Sequence, residues 1–311
     1  MTYEMRPETI EFTNRMPVRA FVRGVEQHPY HWHDALEIMQ VLKGTVHIGM
    51  GSEDHLLHEG DIAVINVDEI HRLKGSQQDN QVLFIQIDGH FYRNILFDNR
   101  ELFIYCCSAY HEAVVPEKYY ELKGYIARLV WALNDQSHKD NKKNIEDILT
   151  TMLAYLTDSF DYLRLGPGTV AFEEKQAERL KQISKYMDGG LCENPGLKTL
   201  AEKVNISKHH LSHDIKNKFG YTFQELFYYS KVEHAAKLLL STDERIVDIA
   251  QECGFSDVKY LIKYFKQNFQ CTPSQFQKMY RADVKTLATQ LQCRDYPLSD
   301  AIKYLQRYLS L

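Results

Sequence analysis

The 311-residue sequence lacks any uninterrupted apolar run approaching the ~18 residues that a membrane-crossing helix needs, and Met1 to Arg15 has no apolar signal core. The expected setting is therefore the cytoplasm, with no membrane partner. Its six cysteines (Cys106, Cys107, Cys192, Cys253, Cys271 and Cys293) form no C-x-x-C pair. Adjacent Cys106 and Cys107 are the one candidate redox pair, and buried reduced thiols are the plainer reading. Nucleotide and hydrolase signatures are missing as well: there is no G-x-x-x-x-G-K-[ST], no G-x-G-x-x-G and no G-x-S-x-G. The chain is not expected to be an enzyme, and no catalytic residue is assigned.

A surplus of cations is also missing, since the net charge is −5. The total conceals an uneven split. Residues 173–281 carry 17 Lys and Arg against 14 Asp and Glu, a surplus of three cations, which leaves the remainder eight units negative. A mildly basic module is attached to an acidic one, and local charge governs contact with phosphates. The 44% hydrophobic content and the length suit two globular domains.

What is present is a helix–turn–helix unit written twice between Leu197 and Arg281. Leu200, Ala201, Val204 and Ile206 recur 49 residues later as Ile249, Ala250, Cys253 and Phe255. Leu211, Ile215, Lys216, Phe219 and Thr222 recur 50 residues later as Leu261, Phe265, Lys266, Phe269 and Thr272. In the first copy Ser207 is placed to cap a helix that turns Lys208, His209, Ser212, His213 and Lys216 outward. In the second, Gly254 supplies the turn and Ser256 the cap, and Lys259, Lys263 and Lys266 face out. Between the copies, Phe223 to Ser241 reads as one helix about 28 Å long. That approaches the ~34 Å between successive major-groove faces on one side of a duplex.

At this point the chain resembles the AraC-type transcription regulators, through Ala236, Leu238 and Leu239, then Ile249, Ala250, Gly254, Phe255, Phe265, Lys266, Pro273 and Ser274. The resemblance covers roughly residues 174–281. It implies a tandem helix–turn–helix that binds double-stranded promoter DNA. His209, Ser212 and His213, with Val258, Lys259, Ile262 and Lys263, would then meet base edges. Two departures stand out: Gln270 and Cys271 replace a usual Gly and apolar residue, and Asp214-Ile215 replaces a hydrophobic-Phe pair.

From His31 to about Asp88, short β-rich runs alternate with turn residues, which suggests a small barrel or sandwich. Within them, His31-x-His33-x-x-x-Glu37, Gly44, Gly60-Asp61 and His71 resemble the two motifs of the cupin barrel. Asn66 and Asp68 stand where Pro and Gly are usual. His31, His33, Glu37 and His71 match the ligands of metal-binding cupins, and histidines at i and i+2 share one strand face. Three readings stay open: a divalent metal site, a polar pocket for an organic effector, or structural roles. The organic pocket suits a sensor best, because a sensor needs reversible occupancy.

The expected domains are a cupin-like barrel (1–90), a helical segment packing on it (91–165), a linker (166–172), the tandem helix–turn–helix (173–281) and a helical extension (282–311). Helices are expected from Tyr119 to Leu133 and from Ile145 to Leu163, on apolar spacing. In resembling proteins helices at this place form the dimer contact, so a homodimer is implied. Leu298, Ile302, Leu305 and Leu309 give an amphipathic helix that reads as a packing appendage, or else as a partner contact. The fold class is thus an all-β sensor joined to an all-α reader. The expected function is an effector-responsive regulator, an activator of sugar or polysaccharide use that works with RNA polymerase. A cupin metalloenzyme with a helical tether and a partner-binding module are the rivals. Coupling between the halves is expected through Gly166–Gly168 or the dimer helices.

Overall fold

The computed structural model describes residues 8, 10–12, 16–50, 53–76, 79–95, 101–111, 116–135, 141–165, 201, 207–209, 211–212, 222–287 and 293–309. Nine strands build two sheets. The first has the order β11-β1-β8-β3-β6, from Val18–Val25 (β1), Ala35–Lys43 (β3), Ile62–Ile65 (β6), Gln81–Asp88 (β8) and Cys293–Tyr296 (β11). The second has the order β2-β7-β4-β5, from Gln27–His31 (β2), Val46–Met50 (β4), Glu53–Leu57 (β5) and His71–Gly75 (β7). The sheets stay separate, so the expected barrel is an open one.

Strand alternation explains the long apolar runs. In β3 and β8, Met39, Val41, Val82 and Phe84 point between the sheets, where they meet Val46, Ile48, Leu57 and Leu73. Leu36, Ile38, Leu42, Leu83, Ile85 and Ile87 take the opposite face. There they pack under Pro116–Asn134 (α3) and Asn141–Ser159 (α4), through Leu122, Ile126, Leu149 and Met152. A sheet buried on both faces needs near-continuous hydrophobicity, and LEIMQVL supplies it. Short helices Gly89–Ile95 (α1) and Ser108–His111 (α2) flank this layer.

The segment 91–165 departs from the helical reading, since it also holds two strands. Its second long helix ends at Ser159, and Asp161–Leu165 (β10) pairs antiparallel with Glu101–Tyr105 (β9). Long-range pairing overrides the helical spacing that ran on to Leu163. The extension after residue 281 also departs from an all-helical reading. Its β11 joins the edge of the sensor sheet, with Val22 opposite Tyr296 and Arg23 opposite Asp295. Arg23 Nε lies 2.7 Å from Asp295 Oδ1, and Leu298–Leu305 (α9) buries Ala301 and Leu305 against the same layer. The appendage thus packs on the N-terminal half, which is not contiguous in sequence.

The helical half comprises Phe223–Ser241 (α5), Ile246–Glu252 (α6), Val258–Phe269 (α7) and Pro273–Leu287 (α8). The turn between α6 and α7 uses Gly254 at φ +70, a conformation glycine adopts without strain. The cap of α7 is Asp257, whose side chain accepts from Lys259 N at 2.8 Å, and not Ser256 as the sequence suggested. Gln270 closes α7 at φ +53, filling the left-handed position that glycine usually takes. At α8, Thr272 and Gln275 exchange bonds (2.9 and 3.2 Å) as a capping box. Of the first copy, the described residues include buried Ala201 and Leu211 and the bond from Leu211 N to Ser207 O. His213, Lys216 and the Gly166–Gly168 segment lie outside the described residues.

Candidate effector site and DNA-reading face

The ends of β2 and β7 bring the expected cluster together. His31 and His71 are register partners in that ladder. His33 follows two residues on, and Glu37 faces them from β3. All four are buried: His33 and His71 are 0% exposed, Glu37 3% and His31 8%. One potential ligand atom from each of His31, His33 and His71 lies within 4.8 Å of the others.

The turn before His71 places it. Asp68 sits at φ +61, in the left-handed region that Asp tolerates better than most residues, and its N–H donates to His33 O at 3.0 Å. Asn66 donates to Glu69 Oε2 from its backbone and its side chain, both at 2.8 Å, and its Oδ1 accepts from Ile104 N at 2.6 Å. Asn66 and Asp68, which replace the usual Pro and Gly, therefore make a pinned turn of their own.

Each imidazole is oriented through the nitrogen that faces away from the cluster. His31 Nδ1 pairs with Pro29 O (2.9 Å), His33 Nδ1 with Ala35 O (3.1 Å) and His71 Nδ1 with Glu69 O (2.9 Å). A carbonyl can only accept, so Nδ1 carries the proton in each neutral ring and Nε2 presents a lone pair. His33 Nε2 and His71 Nε2 are buried without a hydrogen-bond partner. They stand 3.4 and 3.9 Å from the two Glu37 oxygens. Burial holds His31 below the usual imidazole range and His71 well below it, neighbouring imidazoles adding to the effect. Burial also works against charge on His33, but the Glu37 carboxylate outweighs it and the net shift is upward. Glu37 itself is held low: burial would raise it, yet His33 and Gln86 overcome that penalty. Gln86 Nε2 donates to Glu37 Oε2 at 2.5 Å. Sequence reasoning missed Gln86, although it is the polar position in an inward stripe with Val82 and Phe84.

Orphaned Nε2 atoms facing a carboxylate fit a divalent transition-metal ion, with backbone carbonyls as the outer partners. The adjoining cavity holds about 30 Å³, the space of a water or an ion and far less than a sugar fills. Glu8 lies at its mouth, 3.7 Å from His31 Nε2, and forms a second three-residue group with His28 and His31.

The reading face is built differently. On α7, Leu261, Tyr264, Phe265 and Phe269 are buried, while Lys259, Lys263 and Lys266 are exposed and Val258 and Ile262 half-buried. Among the described residues no carboxylate pairs with those lysines. In the first copy Lys208 and His209 are exposed and Ser212 is half-buried. Lys231, also missed, is 3% exposed, and its Nζ donates to Gly254 O at 2.7 Å, fastening α5 to the turn. Cys253 beside it is buried, and its thiol is pushed up to about 12 by that burial.

The halves touch directly. Tyr30, Trp32 and Ile70 of the sensor share one apolar cluster with Val232, Ala236, Phe269 and Phe276. Coupling therefore has a route besides the linker and the dimer helices that the sequence pointed to.

A two-sheet domain with a buried ligand cluster, packed on a helix–turn–helix with a basic outer face, defines a sensor joined to a DNA reader. Residues 21–154 match the AraC-like ligand binding domain and residues 200–279 a helix-turn-helix domain. The chain belongs to the AraC-type transcription regulators. It is 26% identical over 281 residues to an uncharacterized HTH-type transcriptional regulator of Staphylococcus aureus, covering 89% of this chain and 35% of that protein. The chain thus spans about a third of the length of that relative. It is 22% identical over 286 residues to the uncharacterized HTH-type transcriptional regulator YdeC of Bacillus subtilis (strain 168), covering 86% and 94% respectively. Among solved structures it is similar to ToxT from Vibrio cholerae O395, with a TM-score of 0.43, 14% identity, and 85% and 98% coverage. Among the described residues no helix is long and apolar enough to cross a membrane.

Proposed function

We propose that the chain is a sequence-specific, DNA-binding transcription regulator whose sensor responds to a divalent transition-metal ion held by His31, His33, Glu37 and His71. The observation that carries this reading is the convergence of three buried imidazoles, one potential ligand atom of each within 4.8 Å of the others, beside the Glu37 carboxylate. The bound ion would supply the positive charge that this buried set of lone pairs and the carboxylate lacks. Val258, Lys259, Ile262 and Lys263, with His209 and Ser212 of the first copy, would meet base edges. Lys208 and Lys266, both exposed, would meet phosphates. No residue is assigned to catalysis. Activation, contact with RNA polymerase and homodimer formation through α3 complete the proposal, and Trp131, 51% exposed on α3, supports the last.

A second reading has its own observation. An open cavity of about 500 Å³ on the outer face of the second sheet is lined by His47, Asp54, Arg72 and Lys74. A polar organic effector such as a sugar fits there rather than among the histidines.

Two measurements test the proposal. Dialysis against chelator should lower the melting temperature and Zn²⁺ should restore it, because the ion binds only the folded state. An unchanged melting curve moves the effector to the second cavity. Footprinting on a duplex selected from a random pool should show two protected major-groove segments about one turn apart per subunit. One segment alone would sink the tandem reader.

A further inference from the structure

The segments that hold the histidines, the ends of β2 and β7 and the residues beside them, also hold the contact with the DNA-reading half. Successive strand residues point to opposite faces. His31 stands between Tyr30 and Trp32, and His71 between Ile70 and Arg72. The histidines turn inward, and their four neighbours lie against the helices. The Tyr30 ring meets Phe269 (5.9 Å), Phe276 (5.2 Å) and Tyr280 edge-on (4.9 Å). Phe269 is the last residue of α7, the reading helix. The Arg72 guanidinium lies over the Tyr30 and Tyr280 rings at 5.4 and 5.8 Å. Lys237 Nζ of α5 lies 5.6 Å over the Trp32 ring. Ile70 is fully buried in the same cluster.

We infer that occupancy of the histidine site is transmitted to the reading helices through Tyr30, Trp32, Ile70 and Arg72, so that β2 and β7 form a direct relay between ligand and DNA. The inference rests on the metal reading above. Its mechanical basis is the bond from each ring to the backbone two residues before it, His31 Nδ1 to Pro29 O and His71 Nδ1 to Glu69 O. Reorienting a ring on an ion shifts the backbone that carries the anchor beside it. Packed aromatic interfaces have discrete arrangements, so a small shift selects between them instead of fading. An effector moves the equilibrium only if it binds the two arrangements unequally, and by reciprocity DNA must then alter the affinity for the ion by the same factor.

The test uses the full chain, Zn²⁺ as the probe and a duplex selected by the wild-type chain from a random pool. Calorimetry reads Zn²⁺ binding and fluorescence anisotropy reads duplex binding, each with and without the other ligand. In wild type, Zn²⁺ should change duplex affinity by roughly 5- to 150-fold, and the duplex should change Zn²⁺ affinity by the same factor. Tyr30→Ala, and separately Tyr280→Ala from the helical side in case the first impairs the sensor sheet, should shrink the factor below about twofold while both ligands still bind. A variant that binds both and keeps the wild-type factor would overturn the relay, as would a wild type that binds both with no coupling. Failure of wild type to bind Zn²⁺ at all overturns the metal reading, and the relay with it.

Discussion

The histidine cluster is buried between the sheets with two ring nitrogens lacking a hydrogen-bond partner, whereas the α7 face leaves Lys259, Lys263 and Lys266 exposed. In the first, the fold has already met the cost of orienting the donors, through backbone carbonyls and Gln86. In the second, the fold fixes only the helix and leaves the long side chains to be ordered by the partner. A buried site can therefore be damaged through residues that never touch the ligand. An exposed face is damaged one contact at a time.

The largest expected effect is on the buried side. His33→Ala or Glu37→Gln should weaken Zn²⁺ binding by more than ~100-fold, beyond what loss of an outer hydrogen-bond partner costs. Gln86→Leu sharpens the comparison. It removes the donor to Glu37 together with the acceptor of Arg19 Nε (2.6 Å), and should cost about 10–100-fold in Zn²⁺ affinity by calorimetry with the fold intact. If Gln86→Leu had no effect, orientation of Glu37 would not matter.

On the reading side, Lys231→Met removes the donor to Gly254 O and should cost about 1–3 kcal/mol of stability in urea titrations. Lys259→Ala leaves stability alone and should cost about 1–3 kcal/mol of DNA affinity with relaxed choice at one base position. A uniform loss over all sequences would assign Lys259 to the phosphates.

The smallest effect lies between the two regions. Glu233 of α5 has one carboxylate oxygen buried without a partner, and burial, with the Glu69 charge, pushes it up to about 8. Lys237, Ile70 N–H and Tyr229 oppose the shift without cancelling it. A carboxyl raised in the folded state holds its proton where the unfolded chain has lost it. Stability should therefore fall as pH rises from the usual carboxylate range toward about 8, and level off above. Glu233→Gln should flatten that slope in thermal melts, becoming more stabilising at pH above the shift than below it.

The sequence displayed the reader more completely than the sensor. The α5 limits, Gly254 and the buried stripe of α7 follow from helical spacing and one turn, which are local signals. The four candidate residues were visible through the resemblance to the two cupin motifs, and only the pair His31 and His33 through the strand period that puts both on one face. Gln86, Asn66 and β11 were not, for physical reasons. Gln86 acquires its role from a partner 49 residues away, and Asn66 from Ile104 N and O, 38 away. CRDY carries too little hydrophobicity to announce a strand, and only the free edge of β1 makes it one.

Elemental analysis of the purified full chain, prepared without chelator, tests the sensor site most directly. The account predicts about one equivalent of zinc, iron, manganese or nickel per chain in wild type and loss of that metal in His71→Ala, since structural and sensory ions alike depend on the full ligand set. Wild-type protein that carries no divalent metal and takes up none on incubation with Zn²⁺ would contradict it.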